Sequence, residues 1–267
     1  MPGAAPTPKE MPLVGRTEIL VQILDKLLDD SGEPASFLLA GSAGVGKSRL
    51  ATEVAKAAGA ADRVTAKVVA TRAAASIPFG AFAPLMPDIV TPPSGLLTVL
   101  RTAGEAIVER AGAGARLLLL VDDAHLLDDG SSALLHQLVL DRACSVLATV
   151  RIPGAVPDPI TTLWKDGLAE RLDLEALGPE ETEDLVASTL GGPLTGAARS
   201  YFYEVTQGNP LYIRELLIGA VDSGALRRNH GLWTLRRPFP APGRLVELVA
   251  ARLGDLPSGT ARVIDLL

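Results

Sequence analysis

The sequence has a single cysteine, Cys144. An internal disulfide is thereby excluded, and the apolar neighbours of this residue predict a buried thiol rather than a nucleophile. Aromatic residues make up only 4% of the chain, no long basic run is present, and the formal net charge is −6. Binding to nucleic acid phosphates needs clustered Lys and Arg, so direct DNA binding by this chain is not expected. The doublets Arg227, Arg228 and Arg236, Arg237 fit the solvated ends of a short hairpin better than a phosphate patch. Long hydrophobic runs are missing too. The longest unbroken aliphatic stretch is Leu117 to Val121, far short of the roughly 20 residues that span a bilayer, and no membrane partner is expected. The opening MPGAAPTPKEMP lacks the apolar core behind a basic segment that a secretory signal requires. Residues 1–12 are expected to form a flexible tail, and the cytoplasm is the expected location.

What the chain does contain is an alternation of two hydrophobic periods. TEILVQILDKLLDD carries Ile19, Leu20, Ile23, Leu24, Leu27 and Leu28 at helical spacing, which predicts a helix from about Thr17 to Asp30, broken by SGEP. ASFLLA is a short apolar run between breakers and so a buried strand. RVTAKVVATR, ARLLLLVD, CSVLATVR and ERLDLEAL are four further strand candidates, separated by helical segments such as LLTVLRTAGEAIVERA and SALLHQLVLDRA. Strands alternating with helices predict an α/β domain over residues 13–177, a parallel five-stranded sheet flanked by helices. After Leu177 the buried-strand runs stop. GPEETEDLVASTLGG opens with proline and acids, as a helix N-terminus does. Residues 178–238 are expected to form a helical lid subdomain ending in a hairpin, and residues 239–267 the start of a further, winged-helix-like segment with two helices. The apolar end of the chain suggests a fragment of something longer.

GSAGVGKS, Gly41 to Ser48, matches G-x-x-x-x-G-K-[S/T] and lies between a predicted strand and a predicted helix, the context that a phosphate-binding loop requires. Gly41, Ser42, Ala43, Gly44, Val45 and Gly46 would turn backbone N–H groups onto phosphates at a helix N-terminus, where the dipole also favours anions. Lys47 would reach the β- and γ-phosphates, Ser48 would ligate Mg²⁺, and Arg49 follows in the first helical turn. The bland alternative is a glycine-rich turn that binds nothing.

With that loop upstream, the apolar strand ending in Asp122 becomes the expected second metal element. Asp123 points differently and is a candidate to orient or deprotonate the attacking water. Glutamate would reach further there, so the shorter aspartate suggests slow hydrolysis. His125 and Asp128 follow, and capping of a helix near Ser131 is weighed against a direct chemical role. Arg151, at the exit of VLATVR, is a candidate γ-phosphate sensor through its planar donor fork, against the plain reading of a solvated strand end. No asparagine-lysine-x-aspartate guanine reader occurs, which favours adenine.

LVGRTEIL (Leu13 to Leu20), the phosphate loop, IPFGAFAPLMP (Ile77 to Pro87), LLLLVDDAH, LATVR and GNPLYIRELL (Gly208 to Leu217) stand in an order and spacing that resembles the STAND-class P-loop ATPases. More narrowly, the chain resembles the N-terminal ATPase module of the large ATP-binding bacterial transcriptional regulators of the LuxR type. The resemblance implies that Val14, Gly15 and Arg16 lie beside the adenine. It also implies that Gly208, Asn209 and Pro210 are the lid's nucleotide contact. Such regulators often carry tryptophan soon after the histidine of the metal strand, where this chain has Leu126. They end in helical repeats and a DNA-binding helix-turn-helix, so DNA would be reached only through a C-terminal domain absent from this chain.

Two classes of function follow. The first is a switch that binds ATP with Mg²⁺ and hydrolyses it slowly, resting with ADP and active with ATP, when an unidentified inducer permits self-association and transcriptional activation. The second is a turnover enzyme, an oligomeric AAA-type ATPase with a trans arginine finger for which Arg142, Arg171 and Arg199 are candidates, or a small-molecule phosphotransferase. A nucleotide-binding interaction module without hydrolysis is a third possibility.

Overall fold

The structure, a computed structural model, describes residues 11–29, 33–86, 96–112, 116–236, 239 and 242–254. Arg16–Glu175 form one compact unit, and Ala176 onward forms a second together with the described residues before Arg16.

The first unit is built on five strands: Ser36–Gly41 (β1), Val64–Val69 (β2), Leu117–Asp122 (β3), Ser145–Arg151 (β4) and Glu170–Asp173 (β5). All pair in parallel, in the order β2-β3-β4-β1-β5. The three central strands are near-continuous apolar runs because helices cover both faces of a parallel sheet. Leu117 to Val121 are all buried, as are Phe37 to Ala40 and Val146 to Val150. Each Leu or Val so buried contributes about 1.5–3 kcal/mol. The edge strand β2 alternates instead, leaving Thr65, Lys67 and Val69 exposed. The helices are Thr17–Leu27 (α1), Lys47–Ala60 (α2), Leu96–Glu109 (α3), Asp129–Leu140 (α4) and Asp158–Lys165 (α5).

Some boundaries differ from the sequence expectation, among them β5, which ends at Asp173 within ERLDLEAL. Helix α1 ends at Leu27, and Asp30 lies outside the described residues. Helix α4 starts at Asp129, earlier than the apolar pattern suggests, because the Asp128 carboxylate accepts from the Ser131 backbone N–H at 3.0 Å and caps it. The same carboxylate accepts from the Phe79 N–H at 3.0 Å, so one acid also pins the segment after β2. Two single 3-10 turns, Ala74–Ser76 and Ala83–Leu85, shape that segment, and Phe82 between them is fully buried. Pro87, the last residue of that motif, is outside the described residues.

The second unit packs Pro179–Leu190 (α6), Gly196–Thr206 (α7) and Pro210–Asp222 (α8) around Val186, Phe202, Ile213, Leu216 and Leu217. An antiparallel hairpin follows, Leu226–Asn229 (β6) with Leu232–Leu235 (β7), and then Gly243–Gly254 (α9). Trp233 of β7 and Leu245 of α9 complete this core, and Met11 and Val14 pack against it. Of the two helices expected beyond the hairpin, the second falls in residues 255–267, outside the described residues, as do residues 1–10 and Arg237. Among the described residues no helix is long and apolar enough to cross a membrane.

Candidate nucleotide site

Parallel register brings the C-terminal ends of three strands to one edge of the first unit. Gly41 of β1 stands opposite Arg151 of β4, and the Ile152 N–H donates to the Gly41 carbonyl at 3.1 Å. Asp122 ends β3 on the other side of β4. This edge is where open α/β sheets place ligands.

The loop from β1 into α2 has the conformation its glycines allow. Gly44 and Gly46 have φ of +81° and +103°, in the left-handed half that side chains disfavour, and Gly46 is the residue on which α2 opens. Val45 between them is buried. Lys47 is 7% exposed, and its Nζ donates to the Gly41 and Ser42 carbonyls, each at 2.9 Å. The ammonium therefore sits over the loop on which phosphates would lie. Burial lowers its pKa, Asp123 raises it, Arg151 lowers it and Asp122 raises it, with a net shift downward. A bound phosphate would supply the counter-charge that burial makes valuable.

Asp122 is held from two sides. Its Oδ1 accepts from Ser48 Oγ at 2.7 Å and from Thr149 Oγ1 at 2.7 Å, and Lys67 Nζ stands 4.0 Å from Oδ2. The hydroxyl of Ser48 and the carboxylate of Asp122 thus already converge, and both are hard oxygen donors. That pair suits Mg²⁺, which takes its remaining ligands from phosphate oxygens and water. Ser48 and Asp122 would hold Mg²⁺ there, and the ion would neutralise phosphate charge.

Thr149 is a residue of the candidate site that the sequence reading missed. Its hydroxyl also accepts from the Asp123 N–H at 2.8 Å, so one buried side chain ties the two acids together. The available signal was a lone hydroxyl inside the apolar run VLATV. Asp123 itself has φ +56°, a left-handed conformation that Asp tolerates better than most residues, and its side chain is 47% exposed. His125 Nδ1 stands 3.8 Å from Asp123 Oδ1. The pKa of His125 is lowered, mainly by burial; Asp123 raises it, while Lys47, Arg151 and Arg72 lower it further.

Gly41 to Ser48, Asp122, Asp123 and Arg151 are therefore gathered in one unit. Arg49 lies there as well, with its guanidinium 3.2 Å from Glu53 one helical turn on. Arg16 is buried at the start of α1, where its guanidinium donates to the Glu175 carbonyl. Val14, Gly15, Asn209 and Pro210 belong to the second unit. Gly15 has φ +68°, and a Cβ there would overlap the Glu181 carboxylate. Asn209 caps α8, its Oδ1 accepting from the Leu211 N–H at 3.1 Å, and Pro210 takes the first helical position. Gly208 accepts from the Leu177 N–H at 2.9 Å.

Comparison with known proteins agrees with this architecture. In fold the chain is similar to an Orc1 protein from Aeropyrum pernix, determined in complex with DNA, at a TM-score of 0.60 and 17% identity, over 93% of this chain and 70% of that one. It is similar to Cdc6p from Pyrobaculum aerophilum at a TM-score of 0.56 and 14% identity, over 82% and 63%. A RuvB variant from Thermotoga maritima matches at a TM-score of 0.52 and 15% identity, over 90% and 70%. No curated protein sequence matches the chain. The family model described as AAA ATPase domain matches residues 12–147, just over half the chain and the whole stretch from the phosphate loop to the acid strand. The chain belongs to the AAA ATPase domain family.

Proposed function

We propose that this chain is a nucleotide-controlled switch: it binds ATP with Mg²⁺, hydrolyses it slowly, rests with ADP and is active with ATP. The observation that supports it is the contrast between the two acids. Asp122 is fixed by two hydroxyl donors at 2.7 Å, whereas Asp123 carries a short, half-exposed carboxylate on a left-handed residue. Such a site is built to hold a nucleotide well and to activate water poorly.

In this reading Lys47 and Arg151 meet the charge of the γ-phosphate, and Asp123 orients the attacking water and accepts its proton. The water oxygen bonds to phosphorus as the bond to the bridging oxygen of ADP breaks. ATP and ADP differ at the group those two cations face, so their differential contacts supply the free energy that shifts the resting equilibrium. The motifs LVGRTEIL and GNPLYIRELL support the narrower assignment to a regulator of the STAND class, with self-association in the ATP state and an inducer as partner.

The test is the nucleotide content of the purified protein together with its turnover. Retained ADP, slow Mg²⁺-dependent hydrolysis and loss of binding in Lys47→Ala are expected. Turnover near 10 s⁻¹, ordinary for an enzyme, that rises with protein concentration would sink the switch. The likeness of fold to an Orc1 protein bound to DNA motivates a second reading, an assembling AAA-type ATPase that acts with DNA. Its trans finger would have to leave a local carboxylate. Arg171 is 2.6 Å from Asp173, Arg199 is 2.8 Å from Glu183, and Arg142 pairs with Glu33.

A further inference from the structure

The site contains one partly buried ring that the proposed chemistry leaves unused. His125 lies on the single 3-10 turn Ala124–Leu126 that follows the two acids. Its Nδ1 is buried without a hydrogen-bond partner, 3.8 Å from Asp123 Oδ1. That gap is too long for a hydrogen bond, and a modest side-chain rotation spans the difference.

Which group moves is decided by what is held. The ring is 12% exposed, and its turn is closed by the Leu126 N–H donating to the Asp123 carbonyl at 2.8 Å. The Asp123 backbone is fixed as well, by its N–H to Thr149 Oγ1. Only the Asp123 carboxylate, half-exposed on two torsions, is free to turn. A carboxylate can only accept, so closure requires the proton on Nδ1. Burial, the largest effect, favours the neutral ring against the pull of Asp123 toward the charged form, and the cations Lys47, Arg151 and Arg72 add to it. A neutral donor aims a carboxylate without adding charge beside the phosphates.

We propose that His125 is a positioning residue: its Nδ1–H closes onto Asp123 when nucleotide is bound and aims the second carboxylate oxygen at the attacking water. This rests on the reading of Asp123 as the water-orienting acid. The alternative is a ring that merely fills space.

The test compares His125→Asn, whose amide nitrogen falls near the position of Nδ1, with His125→Gln, whose amide nitrogen falls near Nε2. Single-turnover hydrolysis with Mg²⁺ and ATP is measured beside the affinity for a fluorescent ADP analogue. His125→Gln should lose about tenfold or more in rate, as loss of an orienting partner does, while ADP affinity holds. His125→Asn should recover most of that loss, and His125→Gln should add nothing in an Asp123→Ala background. Nitrogen-15 spectra of the wild-type imidazoles, assigned by replacing His136 and His230, should show the neutral Nδ1–H tautomer in the nucleotide complex. Equal rates for the Asn and Gln variants, or an Nε2–H tautomer, would overturn the proposal. If Asp123→Ala hydrolyses ATP at the wild-type rate, the reading of Asp123 fails first and the proposal with it. If Asp123→Ala is slow and the two His125 variants are alike, only the proposal fails.

Discussion

Thr149→Val is the sharpest perturbation of the site because valine has the shape of threonine without its hydroxyl. No cavity opens in β4, and the β-branched preference is unchanged. Two hydrogen bonds are lost, the one accepted from the Asp123 N–H at 2.8 Å and the one donated to Asp122 Oδ1 at 2.7 Å. An N–H left without its acceptor costs about 1–3 kcal/mol, and a bond to a charged group contributes about 1.5–3 kcal/mol. Asp122 keeps Ser48 and retains some solvent access, so the lower part of the second range applies. Taking about 1.5 kcal/mol for the second, the expected loss is about 2.5–4.5 kcal/mol. Thr149→Ser keeps both bonds and removes one methyl, about 1 kcal/mol. Urea unfolding followed by fluorescence would measure both. The chain has two tryptophans, and Trp164 alone reports on this unit in a Trp233→Phe background. The Mg²⁺ dependence of nucleotide affinity should also weaken by about tenfold in the valine variant, the equivalent of 1.4 kcal/mol. If Thr149→Val unfolds within about 0.5 kcal/mol of the parent, or is more stable than Thr149→Ser, the hydroxyl does not tie the acids together.

Other expectations follow from the same geometry. Asp123→Glu should speed single-turnover hydrolysis several-fold by extending the carboxylate, at a stability cost of up to about 1 kcal/mol for a longer side chain in the left-handed region; an unchanged rate would show that reach is not what limits water activation. Gly208→Ala and Gly191→Ala share nearly the same strain, with φ of +69° and +66°, but only at Gly208 would the added Cβ overlap a backbone carbonyl, that of Leu177. Thermal unfolding should therefore show about 1–2 kcal/mol for Gly191→Ala and about 2 kcal/mol more for Gly208→Ala; equal costs would refute the close approach. Burial pushes the Cys144 thiol from 9.0 up to about 12. The folded state keeps this proton where the unfolded chain loses it, so the contribution is intact below pH 9 and erodes above it. Between pH 7 and pH 10 the wild type should lose about 1.4 kcal/mol more in urea unfolding than Cys144→Ala.

The five strands were legible because each is a short apolar run between breakers, and the parallel sheet followed from the helical segments between them. The meeting of Ser48 and Asp122 was legible for a different reason: each sits at a fixed offset in its motif, and the structure joins the two oxygen donors by a 2.7 Å hydrogen bond. Thr149 was not, because a threonine in a strand is ordinary and only the register of β4 beside β3 shows that its hydroxyl reaches both acids. The left-handed turn at Asp123 was equally hidden, since an Asp-Asp pair carries no mark of the backbone sign. Val14 gave no local hint of packing against a core formed beyond Leu177, which is a long-range contact. The early start of α4 was half legible: the cap at Asp128 was expected, but its second bond, to Phe79, depends on a segment 49 positions away.

The strand order has a consequence for how the chain is made. Strand β1, which carries the phosphate loop, pairs with β4 and β5 and with neither strand that precedes them. From Gly41 to Ser145 the ribosome must add more than a hundred residues before β1 meets its first neighbour. At about 5–20 residues per second this is on the order of 5–20 s. Through that interval Phe37 to Ala40 have no sheet to enter, and transiently exposed apolar strands of this kind are aggregation-prone. Slowing elongation between β2 and β4 should prolong that exposure, whereas slowing it after β5 should be harmless.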